Sequence, residues 1–293
     1  MPLRFLIIGP SPKNSLNTAD LVREIEQRGH SASVCSISKL LFLYTDNRYS
    51  FFLDGVNVVE SFDILIPRSF QKNIHFARML VQLFQKNNKV VLDSIIGGRD
   101  MAGKIFQASV FAQHNIPHPK TLATLSLKSF EKNLEQLGLP LVAKPIQGSQ
   151  GKGVLLLHSK ETALSFFKDH RQDYFFQEKI DLTSDYRVLI VGGEVLGAIE
   201  RIAPPNDFRT NASLGAITKT HEASPEMKNL ALKASQALGY DISGVDVIKT
   251  PVGYLILEVN HTPQWQAFQS STGVNVAEKI VDFALKQQRS LSI

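Results

Sequence analysis

Two carboxylates and an amide stand in the run Gly244-Val-Asp246-Val-Ile-Lys-Thr-Pro251-Val-Gly253-Tyr-Leu-Ile-Leu-Glu258-Val-Asn260. Alternating apolar residues read as two strands around a Pro–Gly turn, so Glu258 and Asn260, two apart, point to one face. Asp246 joins them only if the turn sets the right register. A three-residue loop with a bulge uses Pro251 at its first position and Gly253 in the left-handed region. It pairs Thr250 with Tyr254 and places Asp246 opposite Glu258. A two-residue turn puts Asp246 on the other face. Three oxygen donors converging on an apolar sheet are costly unless a cation neutralises them, and a hard ion such as Mg²⁺ suits that donor set. The alternative is a solvated polar face, with Val245, Val247, Leu255, Leu257 and Val259 filling the buried side.

A second group lies upstream in Lys144-Pro-Ile-Gln-Gly148-Ser149-Gln150-Gly151-Lys152-Gly153-Val. Three glycines in six residues let backbone N–H groups approach an anion, and Lys144 at the end of a strand can reach a phosphate. The spacing is not that of a Walker loop, and a strand rather than a helix follows. An ordinary flexible hairpin is the competing reading. Between the two groups come Gln177-Glu178-Lys179, whose backbone could meet a base, then Asp185, Arg187, Glu200-Arg201 and Phe208-Arg209-Thr-Asn211. Arginines at a strand end and in an Asn-containing loop suit phosphate clamping. Each reads singly as a surface residue, and their order gives them joint meaning.

The elements that must position these residues divide into three stretches. Strands at 4–8, 33–37, 63–66 and 90–92 alternate with helices at 18–28 and 74–85, with a hairpin at Asp54-Gly55, and make an α/β unit over 1–95. Its first turn, GPSPKNS, lacks a dinucleotide fingerprint, so this unit reads as scaffold or substrate wall. A helix over about 99–114 opens a second unit, 96–183. Strands at 120–124, 140–144, 153–158 and 174–180 follow, with helices at 127–137 and 160–168. The third unit, 184–293, has strands at 186–191 and 194–201, a helix at 225–238, the carboxylate hairpin and a final helix at 275–287.

Composition narrows the class. The 293 residues are 43% hydrophobic and 20% charged, with 32 Lys plus Arg against 27 Asp plus Glu. Such a chain buries a sizeable core without staples and is not disordered. The basic residues are scattered, so nucleic acid is not an expected partner. Cys35 stands alone and reads as core, which rules out an internal disulfide and fits a cytoplasmic protein. No run is long enough to span a bilayer, and the N-terminal apolar stretch is only strand length. His114 and His118 have a ligand-like spacing that Pro117 interrupts. His261 adjoins the presumed metal ligand and reads as orienting substrate or structure.

The ordered set KPIQGSQGKGV, FFQEKI, DYRVLIVGGEVLGAIER, DFRTN, GVDVI and LEVNHTP over residues 97–288 resembles the ATP-grasp carboxylate–amine ligases, nearest the RimK-type glutamate ligases. The resemblance implies an α/β (α+β) ATP-grasp fold: an N-terminal α/β domain and two α+β subdomains clasping ATP. It implies that Lys104 and Lys144 contact the nucleotide and that loop 148–153 (Gly148, Ser149, Gln150, Gly151, Lys152, Gly153) closes over its phosphates. Glu178 and Lys179 would sit at the adenine and Asp185 at the ribose. Arg209 and Asn211 would reach the terminal phosphates, with Arg201 nearby, and Asp246, Glu258 and Asn260 would hold Mg²⁺ or Mn²⁺. The implied reaction forms an amide through an acyl phosphate, from a small-molecule or peptide carboxylate and an amine such as glutamate. An ATP-binding regulatory or scaffold protein with the same fold is the alternative. Dimers or tetramers are the family's habit. Two departures stand out: Gly103 where the family commonly has Asp before the first lysine, and the bulky His261-Thr-Pro-Gln264-Trp265-Gln266 where it has a small, Gly-containing segment. The second leaves the identity of the amine open.

Overall fold

A computed structural model describes residues 1–70, 73–98, 103–146, 152–182, 184–203 and 217–291. Strand β1 (Arg4–Ile8), whose last four residues are buried, pairs in parallel with β2 (Ser31–Cys35). Helix α1 (Leu16–Gln27) connects them; Ser15 caps it by accepting from the Thr18 N–H, and Gly29, at φ +75°, lets the chain leave it. Two tight hairpins follow, formed by β3 (Leu41–Thr45), β4 (Arg48–Leu53) and β5 (Val56–Asn57). Asp54-Gly55 makes the expected turn, and Asp46-Asn47, both with positive φ, makes a second that the composition had not marked. After α2 (Val58–Ser61) come β6 (Ile64–Pro67), α3 (Ile74–Lys86) and β7 (Val90–Val91), completing a parallel sheet of order β2-β1-β6-β7. Cys35 is buried, and burial pushes its thiol up to about 11, in keeping with a core role.

Helix α4 (Lys104–Gln113) leads to a four-stranded antiparallel sheet, ordered β10-β9-β11-β8. Its strands are β8 (Thr121–Leu122), β9 (Leu141–Pro145), β10 (Leu155–Leu157) and β11 (Tyr174–Glu178); α5 (Leu127–Asn133) and α6 (Lys160–His170) cover one face. The core of this layer is aromatic: the Phe130 and Phe167 rings stack at 4.4 Å and Phe176 lies 4.5 Å from Phe130. Residues 99–102, the start of the expected helix, lie outside the described residues.

The largest sheet, ordered β14-β13-β12-β15-β16, is antiparallel throughout. It comprises β12 (Ser184–Val191), β13 (Glu194–Ile202), β14 (Ile217–His221), β15 (Ile242–Thr250) and β16 (Gly253–Asn260), with helices α7 (Pro225–Leu238), α8 (Gln266–Thr272) and α9 (Val276–Leu291). Both faces are buried, each in a different core. Val188, Ile190, Val245, Val247, Ile256 and Val259 pack with α7 and with Val110 and Phe111 of α4. Leu189, Val191, Ile199 and Ile242 pack with α8, α9 and the N-terminal sheet in one continuous cluster. A reciprocal clasp fastens these layers: Asp93 Oδ1 accepts from the N–H groups of Asp241 (2.7 Å) and Ile242 (3.1 Å), while Asp241 Oδ2 accepts from the Asp93 N–H at 2.6 Å. No described helix is long and apolar enough to cross a membrane.

The β15–β16 turn differs from the expected one. Thr250 pairs with Gly253, leaving only Pro251 and Val252 in the loop. A straight ladder from there would pair Asp246 with Leu257. A bulge, with Leu257 as the extra residue on β16, moves the pairing by one and sets Asp246 opposite Glu258. The two-residue turn sets Ile256 opposite Val247, so Ile256, rather than Leu255 or Leu257, is fully buried in the α7 core together with Val259.

Candidate active site

The sheet face that is apolar at one end becomes charged at the other. Along β12 it runs Val191, Leu189, Arg187, Asp185; along β13, Ile199 then Arg201; along β15, Ile242, Gly244, Asp246; and β16 adds Glu258 and Asn260. The side chains converge as an ion network. Arg187 holds Asp246 through two hydrogen bonds, Nε to Oδ1 and Nη2 to Oδ2 (3.0 Å for the latter). Arg201 forks onto Asp185 at 2.7 and 2.5 Å and reaches Asp246 Oδ1 at 3.0 Å. Asp185, Arg201 and Asp246 are all buried. Burial by itself would raise the Asp246 pKa, but Arg187 and Arg201 more than offset this and hold it below the usual carboxylate range. Gly244 is required here by close approach: a Cβ would lie 2.9 Å from Pro263 and 3.0 Å from Arg187.

Two lysines face the network from the neighbouring layer. Lys144, at the end of β9, donates to Gln177 Oε1 at 2.5 Å. Burial pulls its ammonium down to about 8, opposed by the charges of Glu258 and Asp246 and reinforced by Lys104 at the start of α4. Burial raises the Glu258 carboxyl; Lys104 lowers it and Asp246 adds to the rise. These mutual influences put Lys104, Lys144, Asp246 and Glu258 within one electrostatic neighbourhood. Polar clamps hold the layers in place. Gln107 of α4 donates to the Val259 carbonyl and accepts its N–H, both at 2.9 Å. Gln177 donates to Thr121 and lies 3.2 Å from His118, whose Nδ1 is 2.7 Å from the Ile256 carbonyl. His118 is thus a clamp between sheets, and its sequence spacing to His114 has no role in it.

The remaining expected residues fall as follows. Glu178 accepts from the Lys120 N–H at 2.7 Å, and Lys179 pairs with Asp181. Lys152 and Gly153 (φ +75°) are exposed at the start of β10's approach. Gly148, Ser149, Gln150, Gly151, Arg209 and Asn211 lie outside the described residues. Asp185, expected at a ribose, has both oxygens taken by Arg201. Arg187, which stood in the ordered set but received no role from the resemblance, is the residue that grips Asp246, and its alternation with Asp185 on a strand puts the two on one face.

The donor set Asp246, Glu258 and Asn260 fits a hard cation chemically: three oxygen donors on adjacent strands, with a buried carboxyl at Glu258 that burial disfavours as an anion. Among the described residues no trio of His, Cys, Asp or Glu forms a metal-holding group, so the third ligand would be the Asn260 amide.

Solved structures share this fold at low identity. The ATP-grasp ligase PsnB complexed with its minimal precursor aligns with TM-score 0.76 at 19% identity, covering 98% of this chain and 99% of that one. The macrocyclase MdnC bound with precursor peptide MdnA from Microcystis aeruginosa MRC aligns with TM-score 0.74 at 14% identity, covering 97% and 100%. The architecture is therefore that of the ATP-grasp ligases, which are ATP-dependent enzymes. Residues 102–284 match the RimK-like ATP-grasp domain, and the chain belongs to that family. Probable alpha-L-glutamate ligases are similar over nearly the whole length: one from Aeromonas salmonicida (strain A449) is 29% identical over 96% of both chains. Another, from Cellvibrio japonicus (strain Ueda107), is 30% identical over 91% of this chain and 90% of its own.

Proposed function

We propose that this chain joins a carboxylate to an amine, with ATP as the driving substrate, and that the nucleotide lies between units 96–183 and 184–293. The observation that carries the reading is the bulge-set pairing of Asp246 with Glu258 beside Asn260, facing Lys104 and Lys144. A carboxylate attacking ATP brings two anions together, so positive charge must be fixed where the terminal phosphate sits. Mg²⁺ on Asp246, Glu258 and Asn260 would supply Lewis-acid neutralisation of the phosphates. Lys144 and Lys104 bind the phosphates from the opposite layer. Arg187 and Arg201 balance the carboxylates before nucleotide arrives and keep Asp246 ionised. Arg209 and Asn211 are assigned to the terminal phosphate, and loop 148–153 to its cover, by family resemblance. Glu178 and Lys179 take the adenine and Asp185 the ribose on the same basis. A carboxylate oxygen then attacks the terminal phosphorus of ATP and ADP leaves; the amine attacks the carbonyl carbon of the resulting acyl phosphate, phosphate leaves, and the nitrogen loses a proton to give the amide. The relatives named as glutamate ligases support glutamate as one amine to test, and those bound to precursor peptides support a peptide as carboxylate partner.

The test is ADP and phosphate release with Mg²⁺ over a panel of amino acids crossed with small and peptide carboxylates. Wild type should turn over with at least one pair. Glu258→Gln and Asn260→Ala should each lose turnover while keeping their circular dichroism spectrum. Nucleotide binding without turnover for any pair would favour a regulatory protein instead.

A further inference from the structure

An open cavity of about 170 Å³ lies where the N-terminal layer meets the segment after Asn260. Its lining includes Ser15, Asn17 and Thr18 from the start of α1, Arg68 from the end of β6, and His261 and Trp265. Neither Asp246, Glu258 nor Asn260 is among the lining residues, although His261 directly follows Asn260. The lining holds one guanidinium and, among the described residues, no acid.

Two observations make this cavity short of negative charge. Arg68 keeps some access through the cavity, yet it sits deep enough that burial pulls its pKa down to about 10. Its partners are the carbonyls of Pro263 (2.9 Å) and His261 (3.5 Å) and the Trp265 ring, 5.0 Å from its guanidinium carbon. No described carboxylate lies within ion-pair distance of it; Asp93 acts on it only from further away. The first turn of α1, which adds the positive end of a helix dipole, contains no acidic residue. A cation with no carboxylate within ion-pair distance, at the positive end of a helix, is an arrangement that a bound anion relieves.

We propose that this cavity is a binding site for the free carboxylate of an amino-acid-sized substrate, held by Arg68 at the N-terminal end of α1. The proposal rests on the ligase reading for its place in the reaction. The bound carboxylate would be the spectator group of the amine substrate and not the group being activated, because the strap residue Pro263 separates Arg68 from Gly244 and Arg187. The cavity holds several waters and so has room for an amino-acid-sized group.

Trp265 is the sole tryptophan of the chain, so its fluorescence reports on this cavity directly and without ATP. Titrating nucleotide-free protein with L-glutamate and L-alanine should give a saturable fluorescence change for at least one. The matching α-amide should bind about tenfold more weakly or worse, since it loses the charge-assisted bonds. Arg68→Met should abolish the response and Arg68→Lys should retain part of it. A tripeptide ending in the same residue should bind more weakly than the free amino acid. Absence of a saturable change with any acid, equal binding of acid and amide, or wild-type binding by Arg68→Met would overturn the carboxylate site. Equal binding of the tripeptide would overturn its amino-acid size. ATP turnover without a fluorescence response refutes this site alone, and a fluorescence response without ATP turnover refutes the ligase reading alone.

Discussion

The clasp between Asp93 and Asp241 should make the protein less stable as the solution becomes neutral. Asp93 is 1% exposed, and burial, with Asp241 adding to it, pushes its carboxyl up to about 7, despite the opposing N–H bonds and Arg68. In the unfolded chain the same group loses its proton near pH 4. Between those values the folded state binds more protons than the unfolded one, so stability is full below about pH 4 and falls as pH rises to about 7. Three pKa units at 1.36 kcal/mol each put the loss at up to about 4 kcal/mol. Asp93→Asn keeps an oxygen acceptor for the Asp241 and Ile242 N–H groups but cannot ionise. Urea unfolding of both proteins from pH 4.5 to 8.5 should show near-equal stability at the acid end. By pH 8 the variant should be the more stable by about 2–4 kcal/mol. His30, His118 and His261, whose pKa values burial lowers, titrate in both proteins and cancel in the difference. A difference that stays flat with pH, or a variant weaker than wild type at pH 8, would refute the reasoning.

Lys144 supplies a second pH effect of distinct origin. With its free-protein pKa near 8, the ammonium is lost as pH rises through that value, so nucleotide affinity measured by calorimetry should weaken above pH 8, by at most tenfold per pH unit. Lys144→Arg should remove that pH dependence. At the β12–β13 turn, Gly192 has φ +58°, and an added Cβ would lie 2.3 Å from the Phe283 ring. Gly192→Ala should therefore cost about 2–4 kcal/mol in denaturant unfolding, from left-handed strain together with overpacking.

Period and punctuation made most elements legible in the sequence. Helix α7 falls on the expected residues 225–238, marked by Ser224, Pro225 and Gly239. The Asp46-Asn47 hairpin escaped because neither residue is glycine, yet both take positive φ. At the site, alternation placed Glu258 and Asn260 on one face, and the pairing of Asp246 with Glu258 matches the expected register. The route to that register was misread: Pro251 and Gly253 also suit a two-residue loop, and nothing local marks Leu257 as a bulge. Partners distant in sequence were the least visible. Arg187 and Asp246 are 59 residues apart, and Asp93 and Asp241 are 148 apart. No periodicity links such pairs, because only the folded topology brings them together.

The bulge at Leu257 also separates the length of the hairpin tip from the phase of the strands at the metal-binding end. A two-residue tip with a bulge and a three-residue tip without one deliver the same partner to Asp246. The hairpin thus carries a spare residue that can migrate. Loss of Val252, which is 94% exposed, can be absorbed by straightening the ladder at Leu257: the freed residue restores a two-residue tip and Asp246 stays opposite Glu258. An added residue has no such outlet in the ladder and must lengthen the loop itself. The bulge is therefore a reserve against shortening, and deletion of one tip residue should leave Asp246 opposite Glu258.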